Sequence, residues 1–224
     1  MLTRRSLLGS ATALALVMGA ALPAFADPDA ALAKLQETVL SKGPSGEDPS
    51  PASDVVLSDA ELATIKEMGA TAAIVMHYGG NDWSRAQING LQTQFAAMGI
   101  EVIAITDAGF KPEKQVSDLE TIMAQSPDII VSIPTDPTAT AAAYRAAHEA
   151  GAKLVFMDNV PAGFVAGTDY VSVVSADNYG NGVAAAHLMA KALGPDGGEI
   201  GLVFHAADFF VTKQRYDAFK ATIT

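Results

Sequence analysis

The chain has 224 residues, no cysteine, and 14 basic against 25 acidic side chains, which gives a formal net charge of −11. An acidic surface repels the phosphate backbone, so the composition argues against a nucleic-acid partner. Because no disulfide can form, the fold depends on its core, and a hydrophobic content of 50% is enough to build one good-sized domain.

The first 26 residues predict an export signal. The pair Arg4-Arg5 precedes an apolar run from Leu7 to Leu22, and Ala24-Phe25-Ala26 offers a cleavage site of small residues. The arginine pair favours the twin-arginine route, which carries folded proteins. A membrane anchor is disfavoured because the apolar run is shorter than the ~20 residues that span a bilayer. We therefore expect a periplasmic protein, with residues 1–26 removed after Ala26.

Residues 27–71 are predicted to form a tail, a linker and a lead-in helix. Residues 28–41 have the spacing of a short amphipathic helix. Residues 43–51 are rich in glycine, proline, serine and acidic side chains, a composition that does not support regular structure. A second helix over 59–68 begins at the Ser58-Asp59 cap.

From Ala72 onward, strands alternate with helices. Residues 72–76 form an apolar run without alternation, which is typical of a strand buried on both faces. The predicted strands are 72–76, 101–106, 129–133, 153–157, 170–174 and 199–204, and the predicted helices are 83–98, from Pro112, 138–150, 179–193 and from about Thr212. This alternation predicts an α/β fold with a parallel, doubly wound sheet covered by helices on both faces.

The sequence ends inside the last predicted helix, without a glycine, proline or basic turn to close it. Four strand–helix units precede the loop at 160–169, and only two follow it. We therefore expect a first lobe over 72–165 and an incomplete second lobe over 166–224 of a longer two-lobed protein.

Polar and aromatic side chains follow the predicted strands, where open parallel sheets bind their ligands. Asp and Asn form paired hydrogen bonds with neighbouring hydroxyls, and an indole covers the apolar face of a sugar ring. Asp158-Asn159 favour a ligand role because no helix begins there, whereas Asp177 and Asp136 stand where helix caps are expected and capping is favoured for Asp177. Trp83 fits either the core or a ligand site.

Five segments match one protein family in order and with similar spacing. They are Gly80–Trp83 with Gly90, Ile133–Asp136, Val155–Asp158, Val174–Asn178 and Lys213–Phe219. From Ala72 to Thr224 the chain resembles the sugar-binding proteins of bacterial ABC importers, the ribose-binding-like periplasmic group. The resemblance implies a periplasmic-binding-protein-like fold, a sugar or polyol in the cleft between two lobes, an ABC permease as partner and a monomeric receptor. It implies no catalytic residue, no cofactor and no metal.

The resemblance also maps ligand contacts onto this sequence. Asn81 and Trp83 take the positions that contact the sugar, and Ser84 stands where a second aromatic is common. Asp158 and Asn159 match an Asp-Arg pair. A basic position in the last helix falls on Lys213. Asn159 and Lys213 thus replace two arginines of the family. The planar guanidinium groups that would bind sugar hydroxyls are lost, so we expect a ligand other than the pentose of the ribose-binding-like group. The predicted ligand-binding residues are Asn81, Trp83, Ser84, Asp136, Asp158, Asn159, Asp177 and Lys213.

The strongest competing function is that of an exported NAD(P)-dependent oxidoreductase. Gly180, Gly182 and Ala185 fit G-x-G-x-x-A, and twin-arginine export often serves cofactor enzymes. The fingerprint requires its first glycine in the tight turn directly after the strand, yet residues 175–179 intervene here.

A metal site and two further protein classes have weaker support. A metal site from His77, Asp82, His205 and Asp208 suits zinc chemically, but nothing in the sequence brings the four together. A hydrolase lacks the G-x-S-x-G motif, and a sugar-responsive repressor lacks a helix-turn-helix. A receptor that reports sugar occupancy to a sensor instead of a permease stays open.

Overall fold

The computed structural model describes residues 27–205 and 209–223. The predicted signal peptide and its cleavage site lie outside these residues, as does Asp208 of the hypothetical metal site. The helices and strands, in chain order, are α1 Pro28–Leu35, a 3₁₀ turn Ala52–Val55, α2 Asp59–Met68, β1 Thr71–Met76, α3 Asp82–Ala97, β2 Glu101–Asp107, α4 Pro112–Met123, β3 Ile129–Ser132, α5 Ala141–Glu149, β4 Lys153–Met157, β5 Ser172–Val174, α6 Asn178–Leu193 and α7 Phe210–Ile223. Among the described residues, no helix combines the length and apolar character that a membrane crossing needs.

The five strands form one parallel sheet in the order β2-β1-β3-β4-β5. This confirms the predicted α/β class. Because the chain passes from β1 to the edge strand β2 and then returns to β3 on the other side, the strand order reverses between β1 and β3. In sheets of this kind, the crevice at the carboxyl ends of the strands beside the reversal is where ligands bind.

The core lies on both faces of the sheet. Residues 72–76 of β1 are fully buried, which confirms the prediction of a strand without a solvent face. On one face Phe156 packs edge-on against Tyr144, Phe164 and Tyr170, with ring centroids 5.2, 6.1 and 5.6 Å away. On the other face β1 packs against a cluster that includes Phe95 of α3. The sheet is therefore covered by helices on both sides, as a doubly wound fold requires.

Helix α1 is shorter than the sequence predicts, because it ends at Leu35 and not at residue 41. Beyond the helix the backbone has different partners. The amides of Leu40 and Ser41 donate to the carboxylate of Asp177 at 3.0 and 2.9 Å. A continuous helix would direct these amides to its own carbonyls, so the tertiary contact replaces the last helical turn.

The predicted sixth strand is wrong. Residues 199–204 have no regular structure, and Val203 is 102% exposed. A strand is stabilised by hydrogen bonds to a neighbouring strand, and no segment within residues 27–205 and 209–223 pairs with this one. An apolar run therefore forms a strand only where a neighbouring strand is available to pair with it.

The sheet extends beyond the lobe boundary predicted at residue 165. Strand β5 pairs with β4, with Phe156 opposite Val173 and Met157 opposite Val174. The chain consequently leaves the sheet only at residues 175–177, which we call the crossing, and continues into α6. The division into two lobes stays a prediction, but the sheet includes β5.

A buried hydrogen-bond chain links α5, β3 and β1. The Ser132 hydroxyl donates to the Val75 carbonyl at 2.8 Å, so the Tyr144 hydroxyl donates to Ser132 at 2.5 Å. Both side chains are fully buried. Burial raises the pKa of Tyr144, although the hydrogen bond with Ser132 opposes that rise.

Ser132→Ala is expected to lower the free energy of unfolding by ~1–3 kcal/mol, because it leaves the buried Tyr144 hydroxyl without a partner. Tyr144→Phe should lower the free energy of unfolding by only ~1 kcal/mol, because the Ser132 hydroxyl still donates to the Val75 carbonyl. The double variant should cost less than the sum, because removing both partners leaves no unpaired hydroxyl. Urea unfolding measures all three, with exposed Ser50→Ala as control. Strict additivity would contradict the coupling.

Candidate ligand site at the carboxyl edge of the sheet

A cavity of about 560 Å³, which we call the edge cavity, opens at the carboxyl ends of the strands. A residue that follows each strand lines it, and α7 contributes the opposite side. These residues are His77 after β1, Phe110 after β2, Ile133 after β3, Asp158 and Asn159 after β4, Ser175 after β5, and Arg215 on α7. The parallel topology therefore concentrates polar side chains at one place, as the sequence predicts.

Asp158 has an unusual backbone conformation. Its φ of 59° lies in the left-handed region, which non-glycine residues adopt rarely and mostly at turns or functional sites. Its carboxylate accepts the Ser175 hydroxyl at 2.7 Å, and that hydroxyl oxygen accepts from Asn178 Nδ2 at 2.7 Å. The relay from α6 fixes the side chain. Because an ionised carboxylate offers about four acceptor positions, capacity for a ligand remains.

Asn159 carries a buried acceptor without a partner. The side chain is 7% exposed, and its Oδ1 has no hydrogen-bond partner in the protein. Leaving such an atom unpaired costs ~1–3 kcal/mol, which is recovered when a donor reaches it. The same residue belongs to the lining of the edge cavity.

Aromatic rings form one wall of the cavity. Trp83 is 47% exposed and meets the His77 ring edge-on at 6.5 Å. Phe110 meets His77 edge-on at 5.0 Å and stacks on Tyr78 at 4.8 Å. The Phe110 amide donates to the His77 carbonyl at 2.8 Å, which ties together the loops after β1 and β2. The wall therefore offers half-exposed rings, held by backbone contacts, to the apolar face of a ligand.

The surroundings of His77 favour its neutral form. Burial lowers the pKa of His77, the charges of Asp158 and Asp107 oppose this, and His205 lowers it further. Its Nδ1 is buried without a hydrogen-bond partner. A neutral imidazole donates a hydrogen bond from one nitrogen and accepts one at the other. His77 can therefore act as a donor or as an acceptor toward a ligand hydroxyl.

Three predicted ligand residues have local structural roles. Asn81 caps α3 by accepting the Ser84 amide at 2.8 Å. Ser84 is fully buried, and its hydroxyl has no partner. Asp136 accepts the amides of Thr138 and Ala139 at 2.8 and 2.7 Å, which caps the turn before α5. None of the three lines the edge cavity, and their ligand role stays a prediction.

Two further predicted residues also lie outside the cavity lining. Asp177 caps α6 through the Gly180 amide at 2.9 Å, which agrees with the capping interpretation favoured from the sequence. Lys213 pairs with Asp217 along α7 at 2.5 Å. Arg215, on the same helix, lines the cavity instead. The structure thus brings together Trp83, Asp158 and Asn159 of the predicted set.

Phe110 and Arg215 are cavity residues that the sequence does not single out as ligand contacts. Phe110 follows β2, so its position is consistent with the rule that ligands bind at the carboxyl ends of the strands. Nothing in the sequence distinguishes Arg215 from Lys213, because the face of α7 that meets the cavity depends on how α7 packs against α6.

The hypothetical metal site gains no support. Asp82 forms an exposed ion pair with Arg85, away from the edge cavity. Among the residues that the structure describes, no three side chains of metal-ligating type lie close enough to hold an ion.

The glycine fingerprint has a packing explanation. Gly180 and Gly182 lie inside α6, not in a turn after a strand. A Cβ at Gly182 would stand 2.4 Å from the Arg215 carbonyl oxygen and 2.7 Å from Ala218 Cβ, so only glycine allows α7 to approach this closely. Nothing here favours a dinucleotide.

His77 should make the stability of the protein depend on pH. Its folded-state pKa lies below the ordinary 6.5, so the unfolded chain binds the proton more readily. The free energy of unfolding is therefore expected to fall as the pH drops through 6.5, and His77→Gln should reduce that fall. Urea unfolding of the wild type and the variant at about pH 7.5 and about pH 5.5 measures this fall in the free energy of unfolding. His187→Gln, outside the cavity, is the control, and equal pH dependence in both variants would contradict the assignment.

Comparison with known proteins places the fold. The profile of the periplasmic binding protein domain matches residues 72–224. A search of curated proteins gives no significant match. An ABC transporter solute binding protein from Agrobacterium vitis, bound with α-D-tagatopyranose, is 26% identical with a TM-score of 0.62 over 69% of this chain and 53% of that one.

Two more solved structures are similar. The arabinose binding protein from Geobacillus stearothermophilus is 25% identical, with a TM-score of 0.57 over 69% of this chain and 51% of that one. A solute binding protein from Mycobacterium smegmatis with bound glycerol is 24% identical, with a TM-score of 0.63 over 70% of this chain and 52% of that one. This similarity supports the fold alone. The chain spans about half the length of these structures. With the profile match over residues 72–224, the chain belongs to the periplasmic binding protein domain family.

Proposed function

We propose that this protein is a solute-binding receptor for a sugar or polyol that feeds an ABC importer. The observation that carries the proposal is the buried, unpaired Oδ1 of Asn159, beside the braced carboxylate of Asp158 and the half-exposed ring of Trp83 in one cavity. No covalent step is required of these residues, so we assign them a binding role and no catalysis.

The chemistry of the cavity suits a neutral polyhydroxyl ligand. Asp158 and Asn159 supply acceptors for hydroxyl hydrogens, and Arg215 supplies donors for hydroxyl oxygens. Trp83 and Phe110 cover the C–H face of a ring. The volume of about 560 Å³ lies within the ~300–1,000 Å³ range of small-molecule sites.

The comparisons support the same ligand class. The Agrobacterium vitis protein binds α-D-tagatopyranose, and the Geobacillus stearothermophilus protein is an arabinose binding protein. Because the chain spans about half of each, the complete receptor, its closure on the ligand, its permease and its monomeric state are all parts of the proposal. The predicted twin-arginine signal would place it in the periplasm.

Binding should be visible through Trp83, the only tryptophan. Titration of the full-length receptor with D-tagatose, L-arabinose and myo-inositol is expected to give a saturable change in tryptophan emission with at least one of them. Asp158→Ala should weaken that binding by ~10–100-fold, because a hydrogen bond to a charged group contributes ~1.5–3 kcal/mol. Calorimetry with the same sugar gives an independent affinity.

The matched control is Asp118→Ala, which removes a carboxylate that pairs with Lys114 on α4, outside the cavity. It should bind like the wild type. Equal affinity of the Asp158 and Asp118 variants would contradict the site. No response of the full-length receptor to any sugar, by fluorescence or calorimetry, would contradict the function.

Export should depend on the arginine pair. Arg4→Lys with Arg5→Lys keeps the charge of the signal but removes the twin-arginine motif, so the protein is expected to accumulate uncleaved in the cytoplasm. Cell fractionation and N-terminal sequencing measure this, and the exported wild type should begin at Asp27. Lys34→Arg in α1 is the control. Normal export of the double variant would contradict the twin-arginine route.

A further inference from the structure

The segment that the sequence presents as a tail folds back onto the helix pair α6–α7. We call residues 28–42 the N-terminal strap. Its first part packs along α6, where Lys191 Nζ contacts both oxygens of Asp29 at 2.6 and 2.9 Å. This ion pair is exposed and contributes little by itself. The specific contacts lie at the far end of the strap.

Ser41 anchors the strap between the first turns of α6 and α7. It is 9% exposed although it lies in a segment of exposed neighbours. Its Oγ accepts the Tyr179 amide at 2.9 Å and donates to Gln214 Oε1 at 3.3 Å. Gln214 Nε2 donates in turn to the Lys42 carbonyl at 3.0 Å. One hydroxyl therefore bonds to both helices.

Asp177 is shared between the helix and the strap. Its Oδ1 accepts the amides of Gly180 and Ser41, both at 2.9 Å, and its Oδ2 accepts the Leu40 amide at 3.0 Å. Burial raises the pKa of Asp177, but these hydrogen bonds outweigh it, so the net shift is downward. A helix cap needs one acceptor oxygen, whereas here both oxygens are engaged.

The anchor lies beside the edge cavity. Asp177 is the last residue of the crossing, between Ser175, which donates to Asp158, and Asn178, which donates to Ser175. A displacement of Asp177 therefore moves both members of the relay that fixes the Asp158 carboxylate. No strap residue lines the cavity, so any influence on the ligand passes through the crossing or through α7, which Gln214 bonds to the strap.

We propose that the N-terminal strap holds the crossing in place, and that Ser41 and Asp177 are positioning residues for the Asp158 carboxylate. The ligand effect rests on the proposed function, whereas the docking of the strap does not. Hydrogen exchange without ligand tests the docking, and sugar binding tests its consequence, so the two can fail separately.

The first test compares amide hydrogen exchange in the full chain and in Asp177→Asn. The variant keeps the capping oxygen, since asparagine is a good N-cap, but places an amide group opposite the Leu40 N–H. Exchange at Leu40, which loses its acceptor, should rise ~10-fold, with a smaller rise at Ser41 and at residues 175–178 and none in β1, β3 and β4. Asp136→Asn makes the same chemical change at a cap that the strap does not touch, and should leave the strap protected.

The second test uses Ser41→Ala, which removes both side-chain bonds of Ser41 and leaves Asp177 intact. Exchange of the Tyr179 amide should rise. Binding of whichever of D-tagatose, L-arabinose and myo-inositol titrates the wild type, followed through Trp83, should weaken ~3–10-fold. Ser41→Thr keeps the hydroxyl and should restore both, which a general loss of stability would not explain.

Two results would overturn the proposal. Wild-type protection of Leu40 and Ser41 in Asp177→Asn would show that the strap is not anchored there. Loss of strap protection with unchanged exchange at residues 175–178 would show that it positions nothing. If neither occurs but D-tagatose, L-arabinose and myo-inositol all fail to bind the wild type, the anchoring of the crossing by the strap is supported and the proposed ligand class is wrong.

Discussion

The burial of β1 on both faces is the constraint on which the rest of the structure depends. Residues 72–76 expose nothing to solvent, so β1 needs a strand on each side and helices above and below. β2 and β3 satisfy the first need, and the packing around Phe95 and Phe156 satisfies the second. With both faces covered, polar side chains gather at the carboxyl edge, and the edge cavity lies there.

The cavity itself depends on how the chain leaves that edge. Asp158 follows β4 in a left-handed conformation, which directs the chain into the loop and sets its carboxylate against Ser175. Ser175 begins the crossing, and Asn178 fixes it from α6. The geometry of the carboxylate is therefore set by residues on both sides of the crossing, and not by the sheet alone.

The sequence predicts local and periodic features well and long-range contacts poorly. β4 has the predicted bounds and α4 begins at Pro112, because apolar runs and a first-turn proline are local signals. Residues 199–204 carry the same apolar signal but lack a partner strand among the described residues. Asn159 is predicted as a ligand residue because no helix begins there to need a cap, and the structure places it in the lining of the edge cavity. Ser41 cannot, because its burial comes from hydrogen bonds with residues more than 130 positions away, which leave no periodicity in the sequence.

The first turn of α6 shows how geometry decides between two interpretations of one motif. Bound pyrophosphate is held by free amide groups at a helix N-terminus. Here the Tyr179 amide donates to Ser41, the Gly180 amide donates to the Asp177 carboxylate, and the Asn181 amide donates to the Asp177 carbonyl. The donors that a phosphate would need are therefore already engaged, partly by the N-terminal strap. Of the glycines that fit the fingerprint, Gly182 allows α7 to approach α6 and Gly180 makes room for the capping Asp177 side chain. The motif therefore belongs to the packing that supports the crossing and not to a nucleotide site.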